Sequence, residues 1–199
     1  MAQTFEDYKR KSARRRPKDS ILIVCEGKKT EPNYFRSFRI SSVEVKGVGL
    51  NTVSCVDYAI ERTQGAGRYG IRFDQVWCVF DKDSFSDQQF NDAIKLAKKH
   101  KFNVAYSNQA FELWYLLHYD LVSAPMERDR YQKKLSEKLG LPYKKNDRDM
   151  YYKLLKLQPT AIQNAKKLLE ICPSRDPAKN NPSTTVHLLV EELNRLQKK

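Results

Sequence analysis

Long apolar runs are missing from this chain of 199 residues. None approaches the ~20 consecutive apolar residues needed to cross a bilayer, and the first residues are too polar for a signal peptide. Paired cysteines are missing too: Cys25, Cys55, Cys78 and Cys172 are scattered, with no CxxC spacing. Cys25 and Cys78 fall inside apolar runs, where a small buried thiol is the ordinary reading. No GxxxxGK[ST] phosphate loop occurs, so any ATP hydrolysis would have to come from another protein. No internal repeat is visible. A reduced, cytoplasmic protein without a membrane span is the expectation.

Positive charge is abundant. Lys and Arg number 37 against 24 Asp and Glu, a net charge of +13 with pI near 9.5. Such a surplus favours a polyanionic partner, because counterions released from a phosphate backbone drive binding. The charge is densest in the arm of residues 1–19, where Arg14, Arg15 and Arg16 stand in the run Lys9–Lys18. A solvated tail is the bland reading of such a run. The basic balance of the rest favours nucleic-acid contact.

Apolar strands alternate with helical stretches after that arm. Ile21–Cys25, Val43–Val48, Val76–Phe80 and Phe102–Tyr106 read as four strands. Thr30 is placed to cap a helix with Glu31 and Pro32 in its first turn, both favoured there. Asn51–Thr52 opens a second helix carrying Val53, Val56, Ala59 and Ile60. Gly65–Gly70 reads as a flexible loop. A third helix runs from about Ser86 to His100 with Phe90, Ala93, Ile94 and Ala97 on one face. This alternation predicts an α/β fold whose mostly parallel sheet is flanked by helices, a core spanning residues 20–119. The working site then lies at the carboxyl ends of the strands.

Acids stand at two of those ends. The run Val76–Phe80 stops at Asp81-Lys82-Asp83, and the run Ile21–Cys25 stops at Glu26-Gly27. Alternation along an extended backbone points Asp81 and Asp83 the same way. Two like charges that close are costly without a cation between them, and hard oxygen ligands suit Mg²⁺ or Mn²⁺. Glu26, facing the pair from its own strand, completes the metal set or acts as general acid and base. Lys28 and Lys29, near a helix N-terminus, are placed to hold a phosphate oxygen. The bland readings are a helix-dipole acid for Glu26 and a turn for Asp81 and Asp83.

The second half reads as a helical extension, residues 120–199, packed on the core. It is preceded by the apolar helix Ala110–Tyr119, in which Glu112 would be costly if buried alone. Glu112 is therefore a further metal ligand or the partner of a basic side chain. His118 is a structural histidine before it is a proton carrier. Asn108 orients substrate or caps the helix after it. Glu31 reads as a plain helix N-terminal acid. Residues 120–150 are highly charged and poorly periodic, an exposed helical excursion or a mobile substrate-binding insert. Asn180–Thr185 reads as a helix start with Pro182 in its first turn, followed by the buried stripe Val186, Leu189, Val190, Leu193 and Leu196.

Glu26-Gly27 and Asp81-Lys82-Asp83 at two strand ends resemble the Toprim pattern of primases, topoisomerases and OLD-type nucleases. Three longer segments resemble the RloB-like proteins, small Toprim-type proteins of prokaryotic anti-phage defence. They are Val24–Phe35, Ser107–His118 and Asn181–His187. The resemblance implies a Toprim-like four-stranded sheet and a Mg²⁺-dependent nuclease acting on DNA, tRNA or another RNA. It also implies a separately encoded ATPase as partner, and a homo-oligomer is open to such a protein.

Bound metal would polarise the phosphoryl group, activate water and relieve charge on the leaving oxygen. Asp-x-Asp after a strand also begins phosphatases of the haloacid dehalogenase type, but there the first strand carries it, and here an earlier strand ends in Glu26. A noncatalytic nucleic-acid-binding module is a different class, with Tyr131, Tyr143, Tyr151 and Tyr152 as exposed aromatics. An adaptor subunit regulating an ATPase is a third.

Overall fold

The computed structural model describes residues 19–172, 174 and 176–198. Arg14, Arg15 and Arg16 of the basic arm lie outside the described residues. Five strands form one sheet in the order β2-β1-β3-β4-β5. Strands β1 (Ile21–Cys25), β2 (Val43–Gly47), β3 (Gln75–Asp81) and β4 (Asn103–Asn108) are mutually parallel, and β5 (Ser183–Thr184) runs antiparallel beside β4. The sheet is thus mostly parallel and helix-flanked as expected, with one strand more than the four read from the sequence. The fifth is two residues long, too short to give a periodic signal. It is fixed by hydroxyls: Thr184 Oγ1 donates to the Tyr106 carbonyl at 2.8 Å. Pro182 accordingly precedes a strand, and the last helix, α8 (Val186–Gln197), starts four residues later.

The central strands are covered on both faces, which is why they read as continuous apolar runs. Every residue of β1 is buried. Leu22, Val24, Cys78 and Phe80 pack against α2 (Thr52–Arg68) and α3 (Asp87–Lys99). Ile21, Ile23, Cys25, Trp77 and Val79 face the opposite cluster, built from the remaining helices. The amphipathic periodicity of α3 and its capping box, Ser86 with Gln89, match the sequence pattern. Helix α2 runs on through Gly65, Ala66 and Gly67 to Arg68, so the stretch read as a loop is its last turn and C-cap. Buried Ala66 holds that turn against the core, outweighing the cost of about 1 kcal/mol per helical glycine.

On the second face, α1 (Thr30–Arg36) packs near the short buried helix α4 (Glu112–Leu116). Tyr34 is the hub between them. Its ring centroid lies 5.8 Å from that of Phe111 and 5.7 Å from that of Tyr115. It also meets Tyr151 at 5.6 Å, on α6 (Met150–Leu154). Such pairs contribute about 0.5–1.5 kcal/mol each beyond area burial, and they fix Glu31 and Glu112 in relation to one another. The charged stretch after residue 120 is ordered around α5 (Arg128–Leu139), a polar helix with Tyr131 and Leu135 buried one turn apart. Helix α7 (Gln158–Glu170) and α8 complete this layer. Among the described residues no helix is long and apolar enough to cross a membrane.

Candidate functional site

A cleft of about 300 Å³ opens at the carboxyl ends of β1 and β3. Three carboxylates line it: Asp81 from the end of β3, Glu31 from the first turn of α1, and Glu112 from the start of α4. Glu31 and Glu112 are 7% and 4% exposed. Four cations line it as well, Lys28 and Lys29 from the β1–α1 loop, Arg128 from the start of α5, and Lys145 from the loop after α5.

Each acid has a defined seat. The Phe111 amide N–H donates to Asp81 Oδ2 at 3.0 Å, which orients that carboxyl. The Tyr143 hydroxyl donates to Glu112 Oε1 at 3.1 Å, supplying the partner that a buried carboxylate needs. The Glu31 carboxyl packs over Gly27, where any Cβ would stand 2.2 Å from Oε2. A side chain at position 27 would therefore fill the space Glu31 occupies.

These acids disfavour one another's charge. Burial lifts the Asp81 carboxyl well above the usual carboxylate range, and Glu31, Glu112 and Glu26 push it further. Glu31 is raised by burial and by Glu112, while Lys145 and Arg128 pull it back. Glu26 is raised to about 7, chiefly by burial, with smaller pushes from Glu31 and Asp83. A set of half-buried to buried hard oxygen donors in mutual repulsion has the donor chemistry that Mg²⁺ or Mn²⁺ satisfies. Among the described residues no three or more His, Cys, Asp or Glu side chains are arranged to hold a metal ion. Of the acids, Asp81, Glu31 and Glu112 share the cleft, with Glu26 beside Asp81.

Several expectations are corrected by this geometry. Asp83 does not point with Asp81, because β3 ends at Asp81 and Asp83 adopts φ +41°. Alternation holds only while the strand persists. Asp83 Oδ2 instead pairs with Arg128 Nη2 at 3.0 Å. Glu26 does lie beside Asp81, where its Oε2 accepts from the Asp81 backbone N–H and the Thr52 hydroxyl, both at 3.4 Å, contacts that do not remove it from the candidate acids. Asn108 neither faces the cleft nor caps α4: its buried side-chain amide donates to the Ala178 carbonyl at 3.0 Å. Thr30 is inside α1 and not its cap, and its hydroxyl donates to Asn146 Oδ1 at 2.9 Å. Of the four tyrosines read as exposed, Tyr131 and Tyr151 are core residues, Tyr143 is half-buried on Glu112, and Tyr152 is exposed. His118 is 1% exposed, with Nδ1 at 2.9 Å from the Trp114 carbonyl, a structural role.

Lys28, Lys29, Asp81 and Glu112 stand in the cleft as the sequence placed them. Glu31, Arg128, Lys145 and Asn146 were missed. A signal for Glu31 was present: the acid one turn before Tyr34, on a helix leaving the β1 end, cannot avoid that sheet edge. Arg128, Lys145 and Asn146 arrive from the charged segment read as a substrate-binding insert, where the lack of apolar periodicity singled out no residue.

A family model described as "RloB-like protein" matches residues 21–193, nearly the whole described chain. No curated protein and no solved structure matches it.

Proposed function

The chain belongs to the RloB-like family, and from that premise we propose that it is a metal-dependent nuclease hydrolysing phosphodiester bonds of nucleic acid. The observation that carries this reading is the convergence of Asp81, Glu31 and Glu112 on one cleft floor beneath Lys28, Lys29, Arg128 and Lys145. Carboxylates in mutual repulsion suit a divalent cation, and the cations around them suit the phosphates of a polyanion. The net charge of +13 agrees.

Asp81, Glu31 and Glu112 would hold Mg²⁺ or Mn²⁺, which when bound supplies Lewis-acid polarisation of the phosphoryl group and a water of lowered pKa. The chain's own groups do the positioning. Lys28 and Lys29 draw a backbone phosphate toward the floor, and Lys145 meets it from the other wall. Tyr143 holds the Glu112 carboxyl in place, and the Phe111 N–H holds that of Asp81. A role in anti-phage defence, with a separately encoded ATPase as partner, extends the reading on the family likeness alone.

The test is cleavage of plasmid, single-stranded DNA and total tRNA in Mg²⁺, Mn²⁺ or EDTA, comparing wild type with Asp81→Asn and Glu31→Gln. Metal-dependent cleavage lost in both variants supports the reading. Undiminished cleavage in both puts the active centre elsewhere. Tight nucleic-acid binding without cleavage by any form favours the noncatalytic binding module.

A further inference from the structure

Resting on the nuclease reading of the same cleft, we infer that its substrate is a single flexible phosphodiester strand, and that residues 128–146 are the wall that selects it. This segment touches every element that carries an acid of the site. At its start Arg128 pairs with Asp83 just beyond β3. Beyond α5 Tyr143 reaches Glu112 on α4. Near its end Asn146 meets α1 twice, accepting from the Thr30 hydroxyl at 2.9 Å and from the Asn33 side-chain amide at 3.2 Å. Asn146 makes the second contact through its own carbonyl, from the left-handed conformation at φ +72° that asparagine tolerates. Buried Tyr131 and Leu135 anchor the segment behind these contacts. It is a fixed second wall facing the β1–α1 loop.

The two walls carry matched charge. Lys28 and Lys29 stand on one, Arg128 and Lys145 on the other, and the acids lie between them at the bottom. A phosphate reaching the floor must therefore pass between cations on both sides. Glu31 and Glu112 are almost wholly buried, so a phosphate meets them only by entering between the walls, and a stacked duplex carries each phosphate on a stiff pair of strands that must approach together. A single strand has rotatable backbone bonds and one phosphate at a time to deliver. It satisfies both walls at once.

Binding of short labelled oligonucleotides, as single-stranded DNA, single-stranded RNA and their blunt duplexes, tests this with the full chain in EDTA. A strand of either sugar should bind at least about tenfold more tightly than its own duplex, and the tighter of the two identifies the sugar. Lys145→Ala, at an exposed position, should remove most of that preference and lower the salt slope of single-strand binding by about 0.7. Lys28→Ala, exposed on the opposite wall, is the second variant and should do the same. Equal or tighter duplex binding, or a preference untouched in both variants, overturns the inference. Cleavage in Mn²⁺ separates the two readings. Strand-selective binding without cleavage leaves the inference standing and the nuclease reading refuted. Efficient cleavage inside blunt duplexes does the reverse.

Discussion

Replacing Gly27 with alanine tests the site without removing a single charge. The new Cβ would stand 2.2 Å from Glu31 Oε2 and 2.8 Å from its Cδ, whereas ordinary contact begins at 3.4 Å. The Glu31 carboxyl must therefore retreat by about 1 Å, the scale of displacement that costs roughly a hundredfold in rate when a reacting group is misplaced. Gly27 is not among the glycines with positive φ, so alanine is acceptable to the backbone. The clash falls on the far end of a side chain, so a rotamer change of about 0.5–1.5 kcal/mol absorbs it. Gly27→Ala should thus unfold within a few degrees of wild type while losing about a hundredfold in metal-dependent cleavage. Thermal unfolding and single-turnover cleavage of a labelled strand, measured on the same preparation, decide it. Wild-type cleavage with unchanged stability would refute the placement of Glu31 among the working acids. A collapse in stability would refute the view that the side chain alone yields.

Gly67→Ala is a control from the last turn of α2, where an added Cβ meets nothing within 4 Å; melting should rise by the equivalent of about 1 kcal/mol with cleavage unchanged. Asp81→Asn should abolish cleavage yet melt no lower than wild type in EDTA. Its amide oxygen can still accept the Phe111 N–H, while a carboxyl disfavoured by burial, Glu31 and Glu112 is gone. His118 is lowered from 6.5 to about 4 by burial, so its contribution is complete above about pH 6.5 and is lost as pH falls through 4. That amounts to about 3 kcal/mol; urea unfolding at several pH values should show His118→Leu gaining on wild type as the solution is acidified. Leu135→Ala should cost about 2–5 kcal/mol in the same assay, because it empties the buried anchor of α5.

The readable parts of the sequence were those where one physical rule acted alone. β1 and β3 are buried on both faces, so their apolar runs carried both their position and their direction toward the acids. Helix α3 combined periodicity with a capping box. Asp83 was misread because alternation was extended two residues past the end of β3, to the residue where the chain turns left-handed. Gly65 and Gly67 were misread because tertiary burial of Ala66 overrides local propensity. The placement of the wall from Arg128 to Asn146 was illegible for another reason. Its position depends on two buried side chains and on polar contacts to three distant elements, none of which leaves a local period.

The two-residue strand β5 has a consequence for how the molecule is made. Ser183 and Thr184 close the sheet on β4, pairing with Asn108 and Ser107, and Ser107 in turn pairs with Asp81. A ribosome therefore delivers Glu31, Asp81 and Glu112 long before it delivers the residues that seal the sheet next to them. Until then β4 presents unpaired backbone groups, the kind of open edge on which nascent chains associate wrongly. Translation speed and chaperone access over the stretch between residues 112 and 183 thus bear directly on the yield of molecules with a finished site.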